Sequence, residues 1–243
     1  MSGPVLVAVG GSPSSPAAVE AAAKEGLRPT HARTWVPAHL APGVPPCDRD
    51  GAATPARPPA LLGERRAAPP AVPIGEPAAL PAAQSHTASL TVVGGRQAPG
   101  ARGRLPGSAA GQLTSRGRCP LLVVGGRSDP YGPVVLGDDT SGEAAESAFA
   151  PAARRGTDLL VLRRGTRTAR PLSVLRRKHP AVLVHRRRTG SWTGRALVEA
   201  SAAARLVVIG ARHGITDTLR LSAARTLVDH AHRPVVVVPP RKA

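Results

Sequence analysis

Short, mostly apolar runs recur along this chain, and most end on glycine or proline. Leu6–Val9 runs into Gly10-Gly11, Leu90–Val93 into Gly94-Gly95, and Leu121–Val124 into Gly125. Val134–Leu136 runs into Gly137, Leu206–Ile209 into Gly210, and Val235–Val238 into Pro239. Leu159–Leu162 is similar but meets Arg163. Unbroken runs this short read as strands buried on both faces, not as helices. Ala181–His185 is read as a further strand, and Ala32–Val36 and Val72–Ile74 are weaker strand candidates. Helical stretches alternate with them. Ser15-Pro16 supplies a cap and a first-turn proline for Ala17–Glu25, and Gly26 stops it. Further helices are expected over Glu76–Ser89, interrupted by Pro81, and over Ser108–Arg116, Glu143–Arg155, Arg195–Ala203 and Ser222–Ala231. Pro151 is expected to kink the helix that contains it, because its ring displaces a carbonyl and it has no N–H to donate.

The order repeats. Leu90-Thr-Val-Val-Gly94 leads to Cys119-Pro-Leu-Leu-Val-Val124, and Leu206-Val-Val-Ile-Gly210 leads to Arg233-Pro-Val-Val-Val-Val238. A repeat this long implies two copies of one domain; solenoid units are much shorter. The expected domains are 1–127 and 128–243, joined through Gly125–Gly132. The first carries a Pro- and Ala-rich insert at about 37–71. Strands alternating with helices call for an open parallel α/β layer in each copy. Ligands of such sheets gather at the carboxyl ends of the strands, where the winding reverses. The turns after Val9, Val93, Leu136 and Ile209 are therefore the places to search.

Aromatic residues make up only 2% of the chain, so the cores must be built from Val, Leu, Ile and Ala. The formal net charge is +18, and Lys appears only at positions 24, 178 and 242. An excess of arginine reads either as a nucleic-acid or other polyanion partner, or as arginine spread over solvated faces by an Arg-rich composition. Composition alone favours the second. Trp35, Trp192, Tyr131 and Phe149 are too few for a base-stacking platform. Cys47 and Cys119 do not form a disulfide framework, which suits a reducing compartment. No secretory signal and no apolar stretch of membrane-spanning length is visible, so a cytoplasmic protein without a membrane partner is expected.

Candidate chemistry centres on Gly94-Gly-Arg-Gln97, followed after nine residues by Gly107-Ser108. The segment leaves a strand, crosses a glycine-rich loop and enters a helix. Glycine admits close backbone approach, and the helix start offers free N–H groups to phosphate. A plain strand-to-helix turn would need the same glycines. Asp138-Asp139 is not expected to act as an acid–base pair, since neighbours in a strand point to opposite faces. His230 and His232 stand two apart, off a shared helix face, and do not form a metal site. Neither a Gly-x-Ser-x-Gly elbow nor a Walker-type loop is present. The clusters Arg163-Arg164, Arg176-Arg177-Lys178 and Arg186-Arg187-Arg188 read as polyanion binders or as a charged, soluble sheet edge.

Together these residues resemble the universal stress protein family. The resemblance lies in Val7-Ala-Val-Gly-Gly-Ser-Pro-Ser-Ser15, in Gly94 to Ser108, and in Cys119-Pro120. In the second half it lies in Gly137-Asp-Asp139-Thr-Ser141, Gly210-Ala-Arg212 and Pro234-Val-Val-Val-Val238. It implies a tandem two-domain form, each domain a mainly parallel five-stranded sheet flanked by helices, of the Rossmann-like, adenine nucleotide alpha hydrolase-like kind. It also implies an internal pseudo-dimer or self-association through the last strands, Leu121–Val124 and Val235–Val238.

Nucleotide-binding members of that family carry an Asp after the first strand and Gly-x2-Gly-x9-Gly-Ser/Thr around the phosphates. Copy one has Gly10 at the Asp position and Gln97 at the second glycine, but keeps Gly94, Gly107 and Ser108. Copy two keeps Asp139, Gly210 and Ser222, with His213 and Leu221 at the other two glycines. Gly94 to Gly210 is an offset of 116 and Ser108 to Ser222 one of 114, so the second loop has lost two residues. The resemblance thus implies a non-enzymatic stress-response protein with degenerate adenine-nucleotide (ATP) binding, better preserved in the first domain. The alternative is a basic binding module for nucleic acid or another polyanion.

Overall fold

The computed structural model describes residues 5–9, 17–18, 20–21, 31–34, 79–95, 109–125, 131–137, 142–163, 170–189, 194–211 and 218–240. The expected Pro-rich insert and the Val72–Ile74 strand lie outside them. The chain divides into two compact units, Met1–Val124 and Gly125–Ala243.

Unit 1 contains β1 (Val5–Val9), β2 (His31–Thr34), α1 (Ala79–Gln84), β3 (Leu90–Gly94), α2 (Ala109–Arg116) and β4 (Leu121–Val124). Its strands are ordered β2-β1-β3-β4, all parallel, with Ala8 opposite Val93 and Gly94 opposite Val124. Ala17, Ala18, Glu20 and Ala21 are helical, downstream of the Ser15-Pro16 pair as expected. Four strands are described here, one short of the expected five. Pro81 does not interrupt a longer helix. It occupies the third position of α1, in the first turn, where no intrahelical N–H is needed.

Unit 2 contains β5 (Val134–Gly137), α3 (Gly142–Arg155), β6 (Leu159–Arg163), α4 (Arg170–Lys178), β7 (Val184–Arg188), α5 (Gly194–Ser201), β8 (Leu206–Gly210), α6 (Thr218–His230) and β9 (Val235–Val238). The five strands run β9-β8-β5-β6-β7, again all parallel. Every residue of β5 and β9 is buried, as a sheet covered on both sides requires. α3 packs on β5, β6, β8 and β9 and against α4, whereas α5 and α6 pack on each other and on β8. α3 runs unbroken through Pro151, which is buried. Gly156 closes α3 at φ +57°, a left-handed helix end that glycine adopts without strain.

Two elements of unit 2 depart from the sequence reading. α4 was not expected at all, although Pro171 at its second position and the buried Leu172 and Leu175 mark a short helix with one apolar stripe. As a consequence β7 starts at Val184, three residues later than the expected Ala181. The turn leaving α4 takes up 179–183, with the Val182 N–H bonded to the His179 carbonyl at 3.1 Å. Val182 is buried in that turn rather than in the strand.

The duplication is visible in the hydrogen bonds. Ser85 Oγ donates to Ala82 O at 2.6 Å and accepts the Arg118 N–H at 2.9 Å. Ser201 Oγ donates to Val198 O at 2.6 Å and accepts the His232 N–H at 3.0 Å. Both serines are buried. Each clasps a helix end to the segment that feeds the last strand of its unit. The Thr91 N–H bonds Pro120 O at 2.9 Å and the Val207 N–H bonds Pro234 O at 3.0 Å. The Gly95 and Ala211 N–H groups bond Val124 O and Val238 O in the same way, at 2.6 and 2.7 Å. Donors up to Gly95 are offset by 116 and their partners after the second helix by 114, so the two-residue loss falls in the intervening loop. Ser201→Ala removes the acceptor of the His232 N–H and should cost about 0.5–1.5 kcal/mol, read as a lower urea midpoint with unchanged slope.

Candidate functional site: the strand ends at the switch points

In unit 1, β2 lies on one side of β1 and β3 on the other. The winding therefore reverses between β1 and β3, and the carboxyl ends Val9 and Gly94 fall side by side. In unit 2 the reversal lies between β5 and β8, where Gly137 pairs with Ile209 and Gly210 follows. A crevice at such a reversal is where ligands of open α/β sheets bind. The topology thus puts Gly94 in unit 1 and Gly210 in unit 2 at equivalent corners, each partly exposed beyond a buried strand.

Gly107, Ser108 and Asp139 lie outside the described residues, as do Gly10, Gln97 and His213. What is described around them distinguishes the two units. Between Gly95 and the first described residue of α2 there are thirteen residues, 96–108. Between Ala211 and the first residue of α6 there are six, 212–217. Helix α6 begins at Thr218, four residues before the expected start at Ser222. Ser222 is consequently the fifth residue of the helix, and Leu221, standing where the family has its last glycine, is helical as well. The sequence accounts for the difference. In the sequence, Asp217, a residue type favoured at helix caps, immediately precedes Thr218. In the sequence of unit 1, Pro106 disfavours an earlier helix start, and Ser108, a residue type favoured at helix caps, immediately precedes Ala109.

The consequence is chemical. A helix has its unused N–H groups in its first turn, and those are what phosphate meets. Ser222 stands beyond that turn. In unit 1 the corresponding serine directly precedes the helix. The loop 96–108 contains Arg96, Arg102 and Arg104 and no acid, whereas residues 211–222 contain Arg212 and Arg220 against Asp217. Charge and helix phase both favour the first unit for an anion.

Other titratable groups near the strands have structural partners. Cys119 is buried with its Sγ 3.2 Å from Thr91 Oγ1, and burial pushes its thiol pKa up, so it remains an unreactive thiol. Arg155 has its pKa lowered, first by burial and then by the nearby Arg205 charge. His185 Nε2 lies 2.8 Å from Asp158 Oδ2 on the exposed edge of unit 2. The Nδ1 of His230 lies 3.1 Å from the Thr226 carbonyl oxygen, one turn back in its own helix. Among the described residues no group of three or more His, Cys, Asp or Glu could hold a metal ion. No helix among them is long and apolar enough to cross a membrane.

No family model matches the chain. A universal stress protein of Mycolicibacterium smegmatis is 35% identical over 188 residues, covering 65% of this chain and 64% of that protein. A universal stress protein of Mycobacterium tuberculosis is 29% identical over 188 residues, covering 63% of this chain and 59% of that protein. The chain thus spans about three fifths of the length of the curated relatives it matches. Among solved structures, a universal stress protein from Archaeoglobus fulgidus shares the fold with a TM-score of 0.67, at 16% identity and 96% coverage of both chains. By sequence and by fold alike, the chain is a relative of the universal stress proteins.

Proposed function

We propose that this chain is a non-enzymatic stress-response protein that binds an adenine nucleotide, ATP foremost, at the switch point of unit 1. The observation that carries the reading is the contrast in helix phase between the units. Ser222 is carried into the body of α6, whereas Ser108 precedes α2 at the end of a loop with three arginines. Gly94 ends β3 at the switch point, and Gly107-Ser108 with the start of α2 would hold the phosphates. Asp139 and Gly210 keep part of the sugar-side corner of unit 2, without a phosphate cradle beside it. The loop 94–108 offers neither carboxylate nor histidine to activate water, so the nucleotide acts as a bound regulator and is not turned over.

Calorimetric titration of the full chain with ATP should give one site per chain. Ser108→Ala should weaken it about tenfold or more, the worth of one charge-assisted hydrogen bond. Ser222→Ala should leave it within twofold. Equal loss from both substitutions, or steady release of inorganic phosphate, would refute the assignment.

A further inference from the structure

Residues 159–198 contain ten arginines and one lysine and not a single Asp or Glu. One third of the chain's 33 basic residues therefore lie in about a sixth of its length. Six of them fall in two clusters on the rim of unit 2 formed by its last strand and the helix that leads into it. Arg176, Arg177 and Lys178 form the last turn of α4, and Arg186, Arg187 and Arg188 form the end of β7. All six are exposed. β7 is the last strand in the order of unit 2 and pairs with β6. Successive strand residues point to opposite faces, so the exposure of all three arginines means that neither face of this strand end is covered. A five-residue turn, 179–183, joins α4 to β7, so the clusters stand toward opposite ends of this rim, and alternate residues along β7 are about 6.7 Å apart.

We propose that this rim binds the phosphate backbone of double-stranded DNA without reading its sequence. The chemistry favours this occupant. Arginine presents a planar fork that engages phosphate oxygens in pairs, and ten of the eleven cations in the segment are arginine. The described residues of α4 and β7 include no Phe, Tyr or Trp on which an unpaired base could stack, and the one imidazole, His185, is engaged by Asp158, so a duplex is preferred to a single strand. A helix end needs one or two cations to balance its dipole, not six across two elements. The inference does not depend on the nucleotide site of unit 1.

The test is fluorescence anisotropy of a labelled random-sequence 30-base-pair duplex with the full chain, over a series of KCl concentrations. With six phosphate contacts, the slope of log affinity against log salt should be about −5. Neutralising Arg186, Arg187 and Arg188 to alanine should weaken binding about tenfold or more near 0.1 M KCl and flatten the slope by about 3. Replacing the same three by lysine should keep binding within about threefold. Removing Arg116, Arg118 and Arg225, which are exposed elsewhere, changes net charge equally and should weaken binding less than twofold. Equal weakening by this control triple would mean that net charge alone is at work, and the proposal would fall. It would also fall if the lysine triple lost binding as fully as the alanine triple. Displacement of the duplex by polyglutamate or by phosphatidylserine vesicles at lower charge concentration than by unlabelled DNA would assign the rim to a different partner.

Discussion

Replacing Phe149 with alanine should remove about 3–5 kcal/mol from unit 2, the usual cost of deleting a buried aromatic ring. Phe149 is the chain's one phenylalanine, and it is fully buried in α3. Its ring stacks on that of His179 with centroids 6.0 Å apart and planes 25° apart. It therefore fixes α3 to the segment that follows α4 as well as filling the space beneath. The neighbouring core is made of Val, Leu and Ala, whose side chains cannot swing far enough to fill a cavity of that size. A domain of this length is stable by only about 5–15 kcal/mol, so the loss is a large share of the total. Urea denaturation followed by circular dichroism should show a lowered midpoint for unit 2, with Phe149→Leu costing only about 1–2 kcal/mol. A midpoint unchanged by the alanine substitution would mean that the ring is not a core element.

Gly132→Ala should cost about 3 kcal/mol, although it adds a single methyl group. Gly132 holds φ at +138°, a conformation that L side chains rarely adopt. A Cβ there would also stand 2.5 Å from the backbone oxygen of Ala203, which cannot swing aside as a side chain could. The residue is held in place from both sides. Its carbonyl accepts the Thr157 hydroxyl at 2.8 Å, and the adjacent Pro133 carbonyl accepts the Arg205 N–H at 3.0 Å. Gly156 gives the internal comparison. Its φ is +57°, but a Cβ would meet nothing within 4 Å, so Gly156→Ala should cost only about 1 kcal/mol. Thermal unfolding of the two variants separates steric clash from backbone strain. Equal shifts in melting temperature would show that the Ala203 contact carries no weight.

The buried strands were legible because their chemistry is uniform. Leu121–Val124 and Val235–Val238 stand where the apolar runs put them, and Leu90, Val134 and Leu206 begin strands that extend one residue into the glycine. A strand covered on both faces leaves no other reading. The rim of unit 2 was not legible for the opposite reason. β7 is an end strand whose side chains face water, so its apolar content carries no information about where it begins. Hydrophobic pattern pointed to Ala181-Val-Leu-Val184, whereas pairing with β6 fixed the strand at Val184–Arg188. α4 escaped notice because arginines crowd its sequence, although its two inward leucines three residues apart were the available signal.

At the candidate site, sequence comparison between the halves located the missing two residues in the loop after Gly210, and the paired hydrogen bonds agree. Helix phase was harder to read. The sequence offers a cap-favouring Asp217 as well as the aligned Ser222, and the helix begins at Thr218, not at the position that correspondence with the other half suggests. Glycine content identified the corners where a ligand can approach. It gave no indication that four further residues of the second half, Thr218 to Leu221, would be wound into helix.

The paired serine clasps bear on how the molecule opens. In each half the amide donor to the clasp stands one residue before the Cys-Pro or Arg-Pro step that feeds the final strand. That strand cannot lift away and exchange its amide protons with solvent while the serine still closes its helix end. Helix and strand therefore loosen as one cooperative segment, and fraying at a chain terminus stops short of the sheet.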